Sequence, residues 1–489
     1  MIIVPNQLIA SLPLIIIGST IFILLILISW QRNHLFTVLL TCICLGLSYS
    51  SLYFVSKVSD IDIMSLLCAD SYSIFYITLI IISSLYITIL GYIWLNSFID
   101  NKEEFYILLL ISTLGAIILS STNNFITLFL GIELLSLPLF GLICYDFQKK
   151  LSIEASIKYT ILSAVASSLL LFGMALIYTS CGSFNFLLIG EKIISNLIKE
   201  PLLLIGFVMV ITTIAFKLSL IPFHLWTPDV YQGAPASISA FMSTVGKISI
   251  FSVFTRLFIY IPITNSTKIT HILVIIALMS IVLGNIMAMF QKNIKRLLGY
   301  SSISHFGYLL ISLITVQSNK LSLESSQIYI VSYIIGILGI FGVIVLISRE
   351  NYKNNSSDTD LIQHYSGLFW SNPILCIIMT IMMISLAGIP MTVGFIGKFY
   401  ITSLSIATHL WWLTGGIIIS SVIGVYYYLR ITLSLYQYSP KIKNANISNN
   451  WICTPLGIIL ITNTFLTILL GIYPKPLINL IQSIHPMIY

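Results

Sequence analysis

Charged positions in this chain are rare, and apolar runs of about twenty residues, enough to cross a bilayer as a helix, follow one another along the whole length. Fourteen such runs are read, at 8–30, 35–55, 72–95, 105–122, 124–143, 153–179, 202–222, 235–260, 270–290, 297–317, 326–348, 372–400, 409–436 and 453–473. Their length and unbroken apolarity predict an all-α polytopic membrane protein; a barrel would show shorter strands of alternating polarity. No basic segment precedes the run from Leu8 to Ser29, so it is read as the first span and not as a cleaved leader. The longest polar connection, Ser348–Asn372, is too short for a soluble domain.

Two runs contain helix breakers beside a lysine. In the seventh, Lys217 is followed by Ile221-Pro222, His224 and Pro228. In the twelfth, Gly388-Ile389-Pro390 and Gly394 precede Lys398. Proline removes a helical N–H, and unwound backbone at membrane depth survives only against protein or a water-lined cavity. Both spans are therefore expected to be broken. They lie five apart, so a five-span repeat would be inverted, a pattern that points to transport sites. The expected segments are 1–104 with three helices, 105–262 as the first repeat, 263–436 as the second and 437–489 with helix fourteen.

The composition, 58% hydrophobic and 8% charged, sharpens the meaning of every buried charge. Alternate connections carry twelve and six basic residues, and the positive-inside rule places the richer set (Arg32, Lys102, Lys149, Lys150 and Lys292 among them) in the cytoplasm, with both termini outside. Lys158, Lys217, Lys247, Arg256 and Lys398 remain inside spans. A charge at mid-bilayer costs at least about 2.5–3.5 kcal/mol, and such residues mark ion pathways or paired partners. Glu133 and Lys247 lie too deep to reach an interface, and each reads as a transport group or a structural ion-pair member. Thr244-Val245-Gly246-Lys247 lacks the first glycine of a phosphate loop and sits within a helix. Lys398 could also reach the outer interface, Lys158 could pair locally with Glu154, and Arg256 is expected to snorkel. His305 reads as a hydrogen-bonded neutral histidine or a proton relay. The seven cysteines form no C-x-x-C and have no histidine cluster beside them, which argues against zinc, iron–sulfur and haem sites. The net charge of +7 fits cytoplasmic loops and not nucleic acid.

Several stretches carry a family resemblance: Asp100–Tyr106, Leu128–Leu134 around Glu133, Lys217–Asp229, Val230–Pro235, Asn293–His305 and Ala387–Lys398. Together they resemble the subunit N family of antiporter-like membrane subunits of proton-pumping NADH–quinone oxidoreductase, respiratory complex I. The resemblance implies fourteen helices in two inverted five-helix repeats, with no cofactor in this chain. NADH, FMN, iron–sulfur clusters and quinone belong to other subunits, and neighbouring antiporter-like subunits of the membrane arm are partners. It also implies proton translocation along Glu133, Lys217, Lys247 and Lys398, with Lys158, His224 and His305 as possible relays. The expected setting is a bacterial inner membrane, with the mitochondrial inner membrane as the alternative. Mechanistically, burial opposes a lysine's charged form and a nearby carboxylate favours it, so a Glu133–Lys217 pair that opens and closes would toggle proton release. Two other readings stand beside this one: a subunit of a monovalent cation/proton antiporter, and a membrane scaffold whose charges serve assembly.

Overall fold

The computed structural model describes residues 5–58, 61–96, 98, 101–195, 201–263, 266–319, 321–353, 360–437 and 451–484. The basic residues Lys199, Lys320, Lys441 and Lys443 and the polar stretch 354–359 lie outside these residues. The architecture is nearly all helical. In chain order the helices are α1 (Pro5–Ala10), α2 (Leu12–Trp30), α3 (His34–Ser56), α4 (Ser71–Leu95), α5 (Glu104–Ser121), α6 (Phe125–Ile143), α7 (Lys150–Cys181) and α8 (Phe186–Ile194). Then come α9 (Pro201–Lys217), α10 (Trp226–Gly233), α11 (Ala236–Phe241), α12 (Lys247–Tyr260), α13 (Thr267–Met289), α14 (Ile294–Ile314) and α15 (Leu321–Lys353). The chain continues with α16 (Leu368–Ser371), α17 (Pro373–Ala387), α18 (Val393–Ala407), α19 (Trp411–Tyr436), α20 (Pro455–Ile472) and α21 (Lys475–Ile484). An antiparallel hairpin, β1 (Ile61–Ile63) with β2 (Leu67–Ala69), pairs Ile61 with Ala69 between α3 and α4.

Among the described residues twelve helical stretches are long and apolar enough to cross a membrane, and α9, α17 and α18 are shorter apolar helices. Each predicted span overlaps helix in the structure, the seventh and twelfth only in part, since α9 ends at Lys217 and α17 and α18 are separate. The polar connection after Ser348 is the exception in its start: α15 stays helical to Lys353. Four helices escaped the periodicity, α8, α10, α16 and α21, of nine, eight, four and ten residues.

Local chemistry sets the ends. Asp70 caps α4 by accepting from the Ser73 amide while the Ser73 hydroxyl answers the Asp70 amide, a reciprocal pair that satisfies two otherwise orphaned donors. Asn293 caps α14 by accepting from the amides of Lys295 and Arg296. Gly388, at φ +78°, closes α17 in the left-handed region that glycine adopts without steric cost.

Burial sorts the helices into a centre and a shell. About 94% of the apolar stretch is buried in the α11–α12 element, in α14 and in α15, against 17% in α2 and 28% in α20. The shell turns large apolar side chains outward, among them Phe22, Ile26, Trp412, Val422 and Phe465. For a chain solvated by lipid this outward apolarity satisfies the environment, and polar groups collect at the centre.

Candidate functional site

The two interrupted spans place cations at helix ends. Helix α9 stops at Lys217, and helix resumes only at Trp226. The freed backbone groups find partners inside the protein: Trp226 Nε1 donates to the Phe216 carbonyl at 3.0 Å, the Leu220 amide to the Ala215 carbonyl at 2.8 Å, and the Ile221 amide to Ser280 Oγ at 3.0 Å. The Ile221–Pro222 peptide is cis. In the second interruption α17 ends at Ala387 and α18 begins at Val393. Lys398 reaches back so that its Nζ donates to the Ala387 carbonyl at 2.8 Å. Each lysine thus meets the carbonyl-rich, partially negative end of a helix.

Lys217 is buried and donates to Ser163 Oγ at 2.7 Å, with its ammonium 5.7 Å from the centre of the Tyr159 ring. The expected Glu133–Lys217 ion pair is not formed among the described residues. Glu133 is half-buried on α6, and the hydroxyl of Ser163 takes the bond that the carboxylate was expected to accept.

Lys247 is 1% exposed at the start of α12. It follows directly on a π-helical turn, Met242–Gly246, whose wider winding re-aims the residues beyond it and recurs at functional sites. Its Nζ donates to Ser219 Oγ at 2.5 Å and Ser302 Oγ at 2.8 Å and lies 5.1 Å from the Phe306 ring centre. Ser219 sits two residues past Lys217 in the first interruption, with φ +61°. Ser302 sits one turn before His305 on α14. The interruption and α14 therefore converge on Lys247.

His305 is buried, with Nδ1 2.5 Å from the Tyr329 hydroxyl and Nε2 3.2 Å from the Tyr428 hydroxyl. A cavity of about 10 Å³ is shared by His305, Tyr329, Ser332, Tyr333 and Lys398. Space of that size suits about one water. His224 is only partly buried in the first interruption, and its ring centre stands 6.4 Å from that of Tyr300, away from the lysines.

Lys158 is a surface pair member. It bonds Glu154 at 2.6 Å and Asp229 at 2.8 Å, and Asp229 also holds Arg296 at 3.0 Å. Arg256 departs from expectation. It does not snorkel: it is 1% exposed and pairs with Asp70 at 2.7 Å. Position near the end of a span suggested escape to the interface, but the carboxylate that caps α4 meets it from another helix. Asp229, Asp70 and the tyrosines around His305 went unread, since each matters only through contacts far apart in sequence.

A family described as NADH:quinone oxidoreductase/Mrp antiporter, TM, matches residues 122–424, more than half of the chain. The chain belongs to that family. The matched region of this NADH:quinone oxidoreductase/Mrp antiporter family member contains Glu133, Lys217, Lys247, His305 and Lys398. Among solved structures, a chain of respiratory complex I from Thermus thermophilus is 26% identical with a TM-score of 0.81, covering 96% of this chain and 98% of that one. A chain of an archaeal membrane-bound sulfane sulfur reductase is 22% identical with a TM-score of 0.86, covering 98% and 96%. A chain of the Mrp complex from a Dietzia species is 16% identical with a TM-score of 0.83, covering 99% and 98%. The last two establish likeness of fold. The family member is accordingly an antiporter-like, multi-pass subunit of the kind found in multi-subunit membrane complexes.

Proposed function

We infer that this chain is a proton-translocating membrane-arm subunit of an NADH–quinone oxidoreductase, in the position of subunit N. The observation that carries the reading is the burial of Lys217, Lys247 and His305 beside two interrupted helices, with Lys247 bonded to both the first interruption and α14 and His305 sharing a cavity with Lys398. Protons would pass from the region of Glu133 and Lys217 to Lys247, then by His305 and water to Lys398 and the outer side. The redox chemistry with NADH, FMN, iron–sulfur clusters and quinone belongs to partner subunits, and this chain holds no redox centre of its own. Segments 105–262 and 263–436 are read as inverted repeats. The two interrupted spans lie five apart, an odd interval, which supports the inversion. The basic-residue bias supports a cytoplasmic face at Lys149 and Lys150, with the termini outside, and the likeness to subunit N supports a bacterial inner membrane.

The 26% identity to a complex I chain across nearly the full length of both supports complex I over the alternatives. A cation/proton antiporter subunit shares the fold and is the second reading. Purification of the tagged chain in mild detergent should bring down NADH-oxidising partner subunits. Vesicles containing that complex should couple NADH oxidation to proton uptake, and Lys247→Ala should abolish the share of uptake that this subunit carries. Co-purification with cation-antiport subunits, without NADH oxidation, would overturn the assignment. Unchanged proton stoichiometry in Lys247→Ala would overturn the route and favour a scaffold.

A further inference from the structure

The hydrogen bonds of His305 differ from those that usually surround a buried histidine. A backbone carbonyl or carboxylate on one ring nitrogen fixes the tautomer, because such an oxygen can only accept. Here both nitrogens face tyrosine hydroxyls, Tyr329 at Nδ1 and Tyr428 at Nε2. A hydroxyl rotates and serves as donor or acceptor. With Nδ1 protonated, the ring donates to Tyr329 and accepts from Tyr428. With Nε2 protonated, it accepts from Tyr329 and donates to Tyr428. Both tautomers are fully bonded, and nothing on either nitrogen selects between them.

We propose that Tyr329 and Tyr428 make His305 a tautomer-degenerate bridge, able to pass a proton across its ring in either direction. The proposal rests on the reading of His305 as part of the proton route and adds two residues to it. In one crossing Nδ1 gives its proton to the Tyr329 oxygen, and the original Tyr329 proton leaves into the cavity shared with Lys398. Nε2 takes the Tyr428 hydroxyl proton, and the Tyr428 oxygen takes a proton from Ser301 or Tyr427, the hydroxyls beside it, which is reprotonated in turn. Each oxygen ends with one proton, the ring ends neutral as the other tautomer, and one proton has moved. A reverse crossing, or a half-turn of the ring, restores the start.

The geometry gives this bridge a setting. The Tyr333 ring centre lies 5.2 Å and the Tyr308 ring centre 6.0 Å from that of His305, so the imidazole is walled by aromatics. The buried Tyr231 and Tyr333 hydroxyls both face Ser302, the serine that accepts from Lys247. The Tyr231 ring centre lies 5.8 Å from the Lys247 ammonium and the Tyr333 ring packs on His305, so these hydroxyls line the way from Lys247 to His305.

The test is ¹⁵N solid-state NMR of the whole complex labelled at histidine, with the His305 signals identified by their loss in His305→Gln. The wild type should show protonated and lone-pair signals at both nitrogens. In Tyr329→Phe the only remaining partner is Tyr428. A buried unbonded donor costs more than an unbonded acceptor, so the Nε2–H tautomer alone should remain. Tyr428→Phe should leave only Nδ1–H. Opposite single tautomers in the two variants would confirm the bridge. A single tautomer in the wild type, or the same one in both variants, would overturn it even if either variant assembled poorly. Proton translocation by His305→Gln decides the underlying reading separately: unchanged pumping removes His305 from the route, whatever its tautomers.

Discussion

Arg256 and Asp229 each belong to an ion pair near 3 Å, yet their surroundings assign them different weight. The Arg256–Asp70 pair has side chains 2% and 19% exposed, whereas Lys158, Asp229 and Arg296 are 32–42% exposed. Removing one partner of a buried pair leaves an uncompensated charge and costs about 3–5 kcal/mol; exposed pairs contribute about 0–1 kcal/mol each. Asp70→Asn should therefore sharply lower the thermal stability of the purified complex, and Asp229→Asn should leave it within a few degrees of wild type. A scanning fluorimetry comparison distinguishes them. At Gly394 an added Cβ would sit 1.8 Å from the Ser385 carbonyl oxygen, so Gly394→Ala must displace backbone, at a cost of about 1–3 kcal/mol as for other overpacking. Reduced assembly on native gels would register it. At this scale the sequence disclosed the charges and little of their company. Lys217 and Lys247 were recognisable because a lone cation in an apolar run is costly. Their acceptors Ser163, Ser219 and Ser302 were not, since serine is ordinary in such helices. Arg256 was misread because distance along its own span says nothing of a carboxylate brought by another.

Helices carry the next layer. The interruptions at 218–225 and 388–392 were legible from Pro222 and Pro390, whose effect on a helix is local. The π-turn before Lys247 was not, because no residue type encodes it and packing imposes it. The short helices α8 and α21 were also missed; at nine and ten residues they fall below the length at which an apolar run is distinctive. The second interruption has a sharp dependence on glycine. Gly388 lies at φ +78°, and a Cβ there would come 2.6 Å from Lys398 Cδ. Gly388→Ala should push the lysine off the Ala387 carbonyl. The expected outcome is an assembled complex with impaired proton uptake in vesicles; normal uptake would show that the lysine does not depend on this contact.

Across the whole molecule, the centre formed by α12, α14 and α15 is enclosed by helices that present apolar side chains outward. The arrangement predicts which loops face which compartment. Lys149 and the β-hairpin residue Ser65 are both exposed, and the basic-residue bias assigns them to opposite sides. In a background free of reactive cysteine, Lys149→Cys should react with an impermeant maleimide from the cytoplasmic side and Ser65→Cys only from the outer side. Labelling of both from one side would contradict the orientation. The span count came directly from the sequence because lipid imposes apolarity over a fixed length. Which helices enclose the others did not, since nearly all are equally apolar and burial is settled by tertiary packing.

The hydroxyls around Lys247 have a consequence for conduction. Ser302 donates its only proton to the Gly299 carbonyl at 2.7 Å, and Ser219 gives its own to the Leu218 carbonyl at 2.5 Å. A serine whose proton is so committed can accept from the ammonium but has none to offer in return. These two contacts anchor the charge, and a proton hopping through either serine must first break its bond to the carbonyl. The proposed proton route through Lys247 would therefore favour a third contact, near the Tyr231 and Phe306 rings that stand 5.8 and 5.1 Å from the ammonium.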